Sequence, residues 1–385
     1  MSSNRQVRRR RILRTFKGAL RGVATAIVVS AVTLEVLSAI SIETGLIAAD
    51  APNYRVPGSR PFWIDRNPHF GMWHEAETEY VHAKSCFSVT YRTNAYGARD
   101  RDRKKAGELP RVVMLGDSFT EGYGLERDDR TSDILEAATK AEHLNFGTSG
   151  HFGPTQSWLL YKHLAKDFDH DVVILNLLPD NDFTDDDPKH AGAYPDQYRP
   201  YLERKGGGYE VVYANADARG ASQRDLRREK RRFLGRLIRN FTYTANAFNY
   251  FKGLMRQVTA RSADHAELGS GYSGYFDFTQ PQAERLIEAL SRLVAEAGER
   301  TVIVTLIPRP IDLATDAPSP LPQILGILTA EHEKLHLIDF RDKFRTMNWR
   351  SFYRTCDGHW SPAGAKAAAD VLLADPVYRR ALGLK

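Results

Sequence analysis

The sequence has 385 residues, 42% of them hydrophobic and 26% charged, a composition that is typical of globular proteins and excludes a disordered or fibrous chain. Its formal charge is +6, but the first 21 residues hold eight basic and no acidic residues, so the remainder carries −2. This near-neutral balance gives no reason to expect a nucleic-acid partner. The two cysteines, Cys86 and Cys356, are too few for a zinc site of the CxxC type, and no metal or cofactor is expected.

An apolar segment follows the basic tail (residues 1–21) and covers residues 22–42 with one charged residue, Glu35. A helix of this length spans roughly 30 Å, the thickness of the hydrocarbon core of a bilayer. By the positive-inside rule the basic tail stays in the cytoplasm, so the rest of the chain would lie in the periplasm or outside the cell. We therefore predict a single-pass signal-anchor helix. A cleaved secretory signal and a buried helix of a soluble protein are the alternatives.

Downstream of this helix, residues 50–85 are rich in proline, aromatic and charged residues and are interpreted as a stalk, which leads into a domain over residues 86–385. Short apolar runs and segments of helical spacing then alternate, which predicts a parallel sheet with helices on both faces. The predicted strands are 88–91, 111–115, 143–145, 171–178, 301–307 and 335–339, and the predicted helices are 131–142, 154–166, 280–297 and 362–373.

Residues 185–265 interrupt the alternation and are interpreted as an insertion. The acidic run Asp185-Asp186-Asp187 at its start is expected to be a solvated loop. Residues 224–239 hold eight basic residues and a helical stripe of Leu226, Phe233, Leu234, Leu237 and Ile238. We interpret them as a solvated charged face over a packed stripe. The alternatives are an interfacial helix on an anionic membrane and a patch for acidic polysaccharide.

Two segments that follow predicted strands carry residues suited to acyl transfer. The string GDSFTEG (116–122) places Ser118 in a glycine-led turn between a strand and a helix, where a serine is exposed as a nucleophile. A serine there is more commonly a helix N-cap. In the second segment, Gly150 could turn its N–H towards an oxyanion, although a plain glycine-rich turn is the alternative.

Two further segments complete the pattern. Asn181 directly follows a predicted strand, and its side-chain amide is a suitable oxyanion donor, with an Asx turn as the alternative. Asp357 lies two residues before His359, where a carboxylate can fix the tautomer of the imidazole. In open α/β folds such segments meet beyond the carboxyl ends of the strands. The order of the four segments therefore predicts one site at a single sheet edge.

These segments resemble the motif blocks of the SGNH, or GDSL-like, hydrolase superfamily over roughly residues 110–185 and 300–373. Ser118 matches the first block, Gly150 the second, Asn181 the third, and Asp357 with His359 the fifth. The resemblance implies a flavodoxin-like three-layer α/β/α sandwich with a central parallel sheet. It also implies attack by Ser118, proton transfer by His359 and orientation of His359 by Asp357. The oxyanion would be held by the N–H groups of Ser118 and Gly150 and by the amide of Asn181.

Two positions depart from the family pattern. Pro179-Asp180 stands where a glycine commonly precedes the asparagine, and the spacing from Asp357 to His359 is two residues instead of three. Some bacterial members, including polysaccharide-acetylating ones, are similar to this DxH form. Cys86 and Cys356 are either one disulfide, which would pin the loop of Asp357, or two buried thiols.

The predicted function is a serine esterase that hydrolyses acyl esters, O-acetyl esters first, of cell-surface or extracellular glycans or lipids. An O-acetyltransferase acting on polysaccharide is the related alternative. A non-catalytic glycan-binding or assembly protein with the same fold is the alternative from a different class. The sequence predicts no oligomeric state.

Overall fold

The computed structural model describes residues 2–58, 61–189, 197–216, 223–264 and 272–384. Its first element is helix α1 (Ser2–Glu43). The part Lys17–Glu43 is long and apolar enough to cross a membrane, and its most apolar stretch is not buried against the rest of the protein. This segment is compatible with a membrane anchor or with a signal sequence.

The remaining elements alternate between strands and helices along the chain. The strands are β1 (Trp63–Asn67), β2 (Gly71–His74), β3 (Glu79–Lys84), β4 (Phe87–Arg92), β5 (Arg111–Gly116), β6 (Glu142–Gly147), β7 (Val172–Leu177), β8 (Arg199–Lys205), β9 (Gly208–Ala214), β10 (Thr301–Leu306) and β11 (Leu335–Asp339). The helices after α1 are α2 (Ser118–Glu121), α3 (Thr131–Thr139), α4 (Pro154–His163), α5 (Pro179–Asp185), α6 (Gln223–Phe241), α7 (Tyr243–Asp264), α8 (Gln280–Ala297), α9 (Pro310–Ala314), α10 (Pro320–Glu331), α11 (Phe340–Arg345), α12 (Pro362–Ala374) and α13 (Pro376–Ala381).

A parallel five-stranded sheet in the order β11-β10-β7-β5-β6 forms the centre. Strands β5, β7 and β10 are short runs rich in valine, isoleucine and leucine, as expected for strands that are buried on both faces. Along β7, Val173 and Leu175 face a core built with α4, α8 and α10, whereas Val172 and Ile174 face a core built with α3, α11, α12 and α13. The predicted three-layer sandwich is therefore confirmed.

The strand order places a crevice at the carboxyl edge of the sheet. The first strand of the sheet, β5, lies between β6 and β7, which is the flavodoxin-like order. The chain passes from β5 to β6 on one side of β5 and then returns to β7 on its other side. Loops after β5, β6 and β7 therefore diverge at this edge. Ser118 follows β5 and Asn181 follows β7, on the two sides of the crevice.

The segment interpreted as a stalk packs as part of the body. It forms the antiparallel pair β1–β2 and strand β3, which pairs with β4. Phe70, Met72 and Trp73 belong to one of the two large cores, because these aromatic and apolar side chains cover the side of the sheet next to β6 and α4. The N-terminal region is thus positioned to contribute side chains to the site.

Two expectations for the insertion are wrong. Asp185, Asp186 and Asp187 are buried, because they contact basic and hydroxyl side chains of packed elements, among them Arg199 and Arg285. The stripe in α6 is only partly packed, since Leu234 and Ile238 are 55% and 46% exposed while Phe233 and Leu237 are half-buried. The side chain of Leu226 and residues 190–196 and 217–222 lie outside the described residues.

Candidate active site

The turn after β5 presents Ser118 at the sheet edge. Gly116 has φ +143°, and a Cβ there would lie 2.7 Å from the carbonyl oxygen of Asn176, so the turn excludes larger residues. Asp117 caps the short helix α2, accepting a hydrogen bond from the N–H of Phe119 at 2.9 Å. Ser118 is therefore the first helical residue, and its own hydroxyl is not used as the cap.

His359 lies next to Ser118 although 241 residues separate them in the chain. The distance from Nε2 of His359 to Oγ of Ser118 is 2.8 Å, a hydrogen-bond distance. On the other side of the ring, Nδ1 lies 3.4 Å from Oδ2 of Asp357. That contact is an ion-pair distance without hydrogen-bond alignment, and Oδ1 of Asp357 accepts from the backbone N–H of His359 at 3.0 Å. The arrangement suits proton removal from Ser118 by His359.

Two neighbouring side chains favour the ionised form of Asp357. Burial alone would raise the pKa of this carboxyl, but His359 and Lys84 outweigh burial and hold the pKa well below its usual range. Nζ of Lys84 lies 3.3 Å from Oδ2 of Asp357, the oxygen that also faces His359. Lys84 ends β3, in the segment interpreted as a stalk, and no motif in the sequence points to it.

Aromatic rings hold the imidazole of His359 in place. The ring of Tyr123 stacks on it with centroids 4.1 Å apart and planes inclined by 19°, and the ring of Phe119 lies 5.0 Å away. Nζ of Lys84 is 5.2 Å from the centroid of Tyr123. Tyr123 lies one residue beyond the GDSFTEG string, and sequence reasoning assigned it no role.

Gly150 lies in the loop after β6 with φ +105°, which only glycine adopts readily. A Cβ at this position would lie 3.0 Å from two side-chain atoms of Met72. Met72 belongs to β2, so the N-terminal segment covers this loop. A side chain at position 150 would therefore displace either the loop or Met72.

Glu121 connects the GDSFTEG turn to the loop of Gly150. Its fully buried carboxylate accepts a hydrogen bond from the N–H of Ser149 at 2.8 Å and another from the hydroxyl of the same residue. It also accepts from Nε1 of Trp63 and faces Nε2 of His74, both at 3.1 Å. Burial would raise the pKa of Glu121, but the neighbouring His74 and Arg99 and the hydrogen bonds to the carboxylate lower it to about 2. The carboxylate thereby fixes the peptide that precedes Gly150.

Arg199 holds the other end of the same loop. This buried arginine of β8 donates to the carbonyl oxygen of His151, and its guanidinium lies 3.6 Å from the carboxylate of Asp185. Asp185 also contacts Nδ1 of His151 at 3.2 Å. The loop of Gly150 is therefore held by side chains from both of its flanks.

Asn181 is brought to the site, but its amide is engaged with carboxylates. Nδ2 donates to Asp117 at 3.1 Å and to Asp185 at 3.3 Å. Burial raises the pKa of Asp117 to about 6, against the hydrogen bonds from Phe119 and Asn181 that lower it. To hold an oxyanion, Asn181 must release one of these two contacts, and the longer one is to Asp185.

The chain matches the family of GDSL-like lipases and acylhydrolases over residues 112–372, which is more than half of its length. It belongs to this family. Members hydrolyse esters, so the chain is an ester-hydrolysing enzyme of the GDSL-like type. No curated protein matches the sequence.

Solved structures that match this GDSL-like enzyme include a lipolytic protein of the G-D-S-L family from Veillonella parvula, with 13% identity over 70% of this chain and 99% of that chain and a TM-score of 0.36. A lipase/acylhydrolase from Enterococcus faecalis has 13% identity over 71% and 96%, with a TM-score of 0.36. A carbohydrate esterase family 2 enzyme with a carbohydrate-binding domain from Corynascus thermopiles has 14% identity over 73% and 69%, with a TM-score of 0.38.

In this GDSL-like enzyme, the loop of Asp357 and His359 is attached to the N-terminal hairpin β3–β4. Cys86, between the two strands, forms a disulfide with Cys356, which directly precedes Asp357. Nη1 of Arg354 donates to the carbonyl oxygen of Cys86 at 3.1 Å. Together with the ion pair of Lys84 and Asp357, these contacts make the hairpin part of the site. Among the residues that the structure describes, no group of three or more His, Cys, Asp or Glu side chains could hold a metal ion.

We predict that Glu121→Gln lowers the kcat for a small acetyl ester roughly 10–100-fold with little change in KM, because a small displacement of a group that aligns the reaction has effects of this size. The amide of glutamine keeps the volume of the side chain, but it has only one oxygen and cannot accept hydrogen bonds from all the donors that now surround Glu121. Steady-state kinetics of purified protein measure the change. Glu299→Gln, at a 97% exposed side chain, is the matched control and leaves kcat unchanged. Equal kcat values for both variants would contradict the role of Glu121.

The same variant changes the pH dependence of stability. The pKa of Glu121 is lowered from 4.5 to about 2 in the folded protein. Its carboxylate therefore contributes stability that is fully present above pH 4.5 and is lost as the pH falls towards 2. Urea unfolding at several acidic pH values should show a steeper loss of stability for wild type than for Glu121→Gln. Parallel curves for the two proteins would disprove this.

We predict that the double variant Cys86→Ala/Cys356→Ala lowers the free energy of unfolding by about 2–5 kcal/mol, as loss of a native disulfide typically does. It should also lower kcat, because Cys356 adjoins Asp357. Denaturant unfolding and ester kinetics measure both effects. Wild type treated with a reductant is the control and should behave like the variant. Full activity of the reduced enzyme would show that the disulfide does not position Asp357.

Proposed function

We propose that this enzyme is a membrane-anchored serine esterase that removes acyl groups, O-acetyl groups first, from cell-surface or extracellular glycans or lipids. The observation that carries the proposal is the 2.8 Å contact between Oγ of Ser118 and Nε2 of His359. The carboxylate of Asp357 lies behind the same ring, 3.4 Å from Nδ1. A hydroxyl, a base and an orienting carboxylate in this order are the parts of a serine hydrolase.

In the proposed reaction, Oγ of Ser118 attacks the ester carbonyl carbon while Nε2 of His359 takes its proton. The negative charge that develops on the carbonyl oxygen is held by the N–H groups of Ser118 and Gly150 and by the amide of Asn181. One such donor typically contributes about 2.7–4 kcal/mol to stabilisation of the transition state. His359 then returns the proton to the leaving alcohol. Water, activated by the same imidazole, releases the acyl group from Ser118.

Two features support a site outside the cytoplasm. The helix Lys17–Glu43 is long and apolar enough to span a bilayer and is preceded by a basic tail. A disulfide persists in the periplasm and outside the cell, whereas thiols are kept reduced in the cytoplasm. Acylated glycans and lipids are the esters that a tethered enzyme meets there, which is the reason for the proposed substrate class.

We predict that Ser118→Ala lowers kcat for a chromogenic acetyl ester at least about 10³-fold while leaving the unfolding transition in place, because the nucleophile is lost without a change in packing. Ser88→Ala, at an exposed serine of β4, is the matched control and should retain full activity. A fluorophosphonate probe should label wild type and Ser88→Ala but not Ser118→Ala. Undiminished turnover by Ser118→Ala would end the esterase proposal, and absent labelling and turnover in wild type would favour a binding protein.

A substrate panel tests the finer part of the proposal. Acetylated sugars and long-chain esters are offered to the full chain in detergent, with and without an unacetylated sugar as acceptor. Release of acetate from the sugars at a higher kcat/KM than from long-chain esters supports the proposal. Preference for long chains contradicts the acetyl assignment, and acetylated acceptor without free acetate would show acyl transfer instead of hydrolysis.

A further inference from the structure

Helices α6 and α7 are joined at Thr242 and are called the α6–α7 hairpin below. They carry apolar side chains that are largely exposed in the part of the protein that the structure describes. On α7, Phe248, Phe251 and Leu254 recur at helical spacing on one face and are 43–70% exposed. Single exposed apolar residues are ordinary, but a continuous exposed stripe marks a contact surface.

This stripe continues the apolar surface of α1. Ala247 on the neighbouring face of α7 packs against Ile42, and Tyr250 packs against the same small cluster. On α1 itself, Val32 and Val36 are more than half exposed. The exposed face of α7 and the apolar face of α1 therefore form one surface.

The charge of Glu35 is placed against the start of α7. One carboxylate oxygen accepts from the N–H of Tyr243 at 2.7 Å, and the other accepts from the N–H and hydroxyl of Thr244 at 3.0 and 2.7 Å. The first N–H groups of a helix have no partner within the helix, and in lipid no water can replace one. Glu35 is the one charged residue of residues 22–42. Its carboxylate and the first N–H groups of α7 would each be destabilised alone in lipid, and here they bind each other.

The position of Glu35 also indicates how far the start of α7 lies below the end of α1. Eight residues separate it from Glu43 at the end of α1, which is roughly 12 Å along a helix axis. The start of α7 therefore lies below the level at which α1 ends. The hydroxyl of Tyr243 reaches back to Glu43 at 2.7 Å, so an aromatic ring with a polar tip spans that interval.

Helix α6 has the character of an interfacial helix. Leu234, Ile238 and Phe241 are 44–55% exposed and share one face at i, i+4 and i+7. Arg231 and Arg232 are exposed at the middle of the helix, within one turn of Leu234. Basic residues beside an apolar face suit the headgroup layer of an anionic bilayer.

We propose that the α6–α7 hairpin inserts into the outer leaflet of the bilayer that α1 spans, with its apolar stripes in the acyl chains and its arginines at anionic headgroups. The inference rests on the membrane anchor of the proposed function. The hairpin and α1 would then form a two-part attachment that fixes the orientation of the enzyme on the membrane, which a single helix with a mobile connection does not do.

The test uses the full chain in vesicles of phosphatidylcholine and phosphatidylglycerol that carry nitroxide groups on their acyl chains. The two native cysteines are joined in one disulfide and do not react with a thiol label under non-reducing conditions. A single introduced cysteine can therefore carry an environment-sensitive fluorophore. The label is placed by Phe251→Cys on the hairpin, by Val32→Cys on α1, and by Ile327→Cys on α10. Ile327 is a 65% exposed apolar residue and serves as the matched control. Hydrolysis of an acetyl ester by each labelled protein verifies that it is folded.

We expect the label at 251 to lose most of its fluorescence to the nitroxide lipids and to be protected from aqueous iodide, as the label at 32 is. The label at 327 should show the opposite pattern. Iodide quenching at 251 with lipid quenching at 32 would overturn the proposal and leave the anchor intact. Protection at 251 from both quenchers would assign the stripe to a second copy or another protein, which also overturns it.

Two further outcomes distinguish the membrane insertion from the esterase site and from the proposed contact of the arginines with anionic headgroups. Lipid quenching at neither 251 nor 32 would remove both the hairpin insertion and the membrane anchor, while hydrolysis of the acetyl ester would still report the esterase site. Equal quenching at 251 in vesicles with and without phosphatidylglycerol would overturn the assignment of the arginines to anionic headgroups.

Discussion

The contact between Oγ of Ser118 and Nε2 of His359 sets the requirement that the rest of the fold meets. It joins the turn after β5 to a loop 241 residues later, so no local preference of the chain can produce it. The central sheet positions Ser118, because it fixes the end of β5. The position of His359 depends on the loop before α12, which is irregular and needs attachment from outside the sheet. The disulfide, the ion pair of Lys84 and the stacked ring of Tyr123 provide that attachment.

The carboxyl-edge loops are held by buried charges, and this explains why so many ionised groups surround the site. Glu121 fixes the peptide before Gly150, Arg199 fixes the carbonyl after it, and both are almost fully buried. An unpaired charge in these places would be strongly destabilising, whereas each of these groups has several partners. Loops fixed in this way present their N–H groups in one arrangement, and preorganised donors are the ones that stabilise a developing oxyanion.

Local sequence patterns predicted the parts of the fold that depend on local burial. The runs at 171–178 and 301–307 are buried strands because both of their faces are covered, and 280–297 is a helix with the predicted bounds. Residues 63–84 have the aromatic and charged composition from which a stalk was predicted, but they form strands that pack on the body. Their partners in the core lie far away in sequence, so their burial is a property of the tertiary fold.

The site shows the same division. Ser118, Gly150, Asn181, Asp357 and His359 could be predicted as candidates because each lies in a short motif at a predicted strand or helix boundary, and the structure brings them to one edge. Lys84 and Arg199 reach that edge from antiparallel hairpins outside the sheet, and no spacing in the sequence indicates them. For Asn181, the motif gives the residue but not its partners, and the two carboxylates that occupy its amide are a result of packing.

The N-terminal segment connects the proposed membrane anchor to the chemistry over a short distance. Seven residues after the end of α1, Asp50 pairs with Lys84, and Nζ of Lys84 contacts the carboxylate of Asp357. Seven extended residues reach at most about 25 Å, and Ala49 already packs against Ile42 of α1, so the actual span is shorter. If α1 spans a bilayer, the sheet edge with Ser118 and His359 is therefore held close to the membrane surface. Esters in that layer, whether on lipids or on glycans attached to them, would be within reach, whereas polymers remote from the membrane would have to approach it.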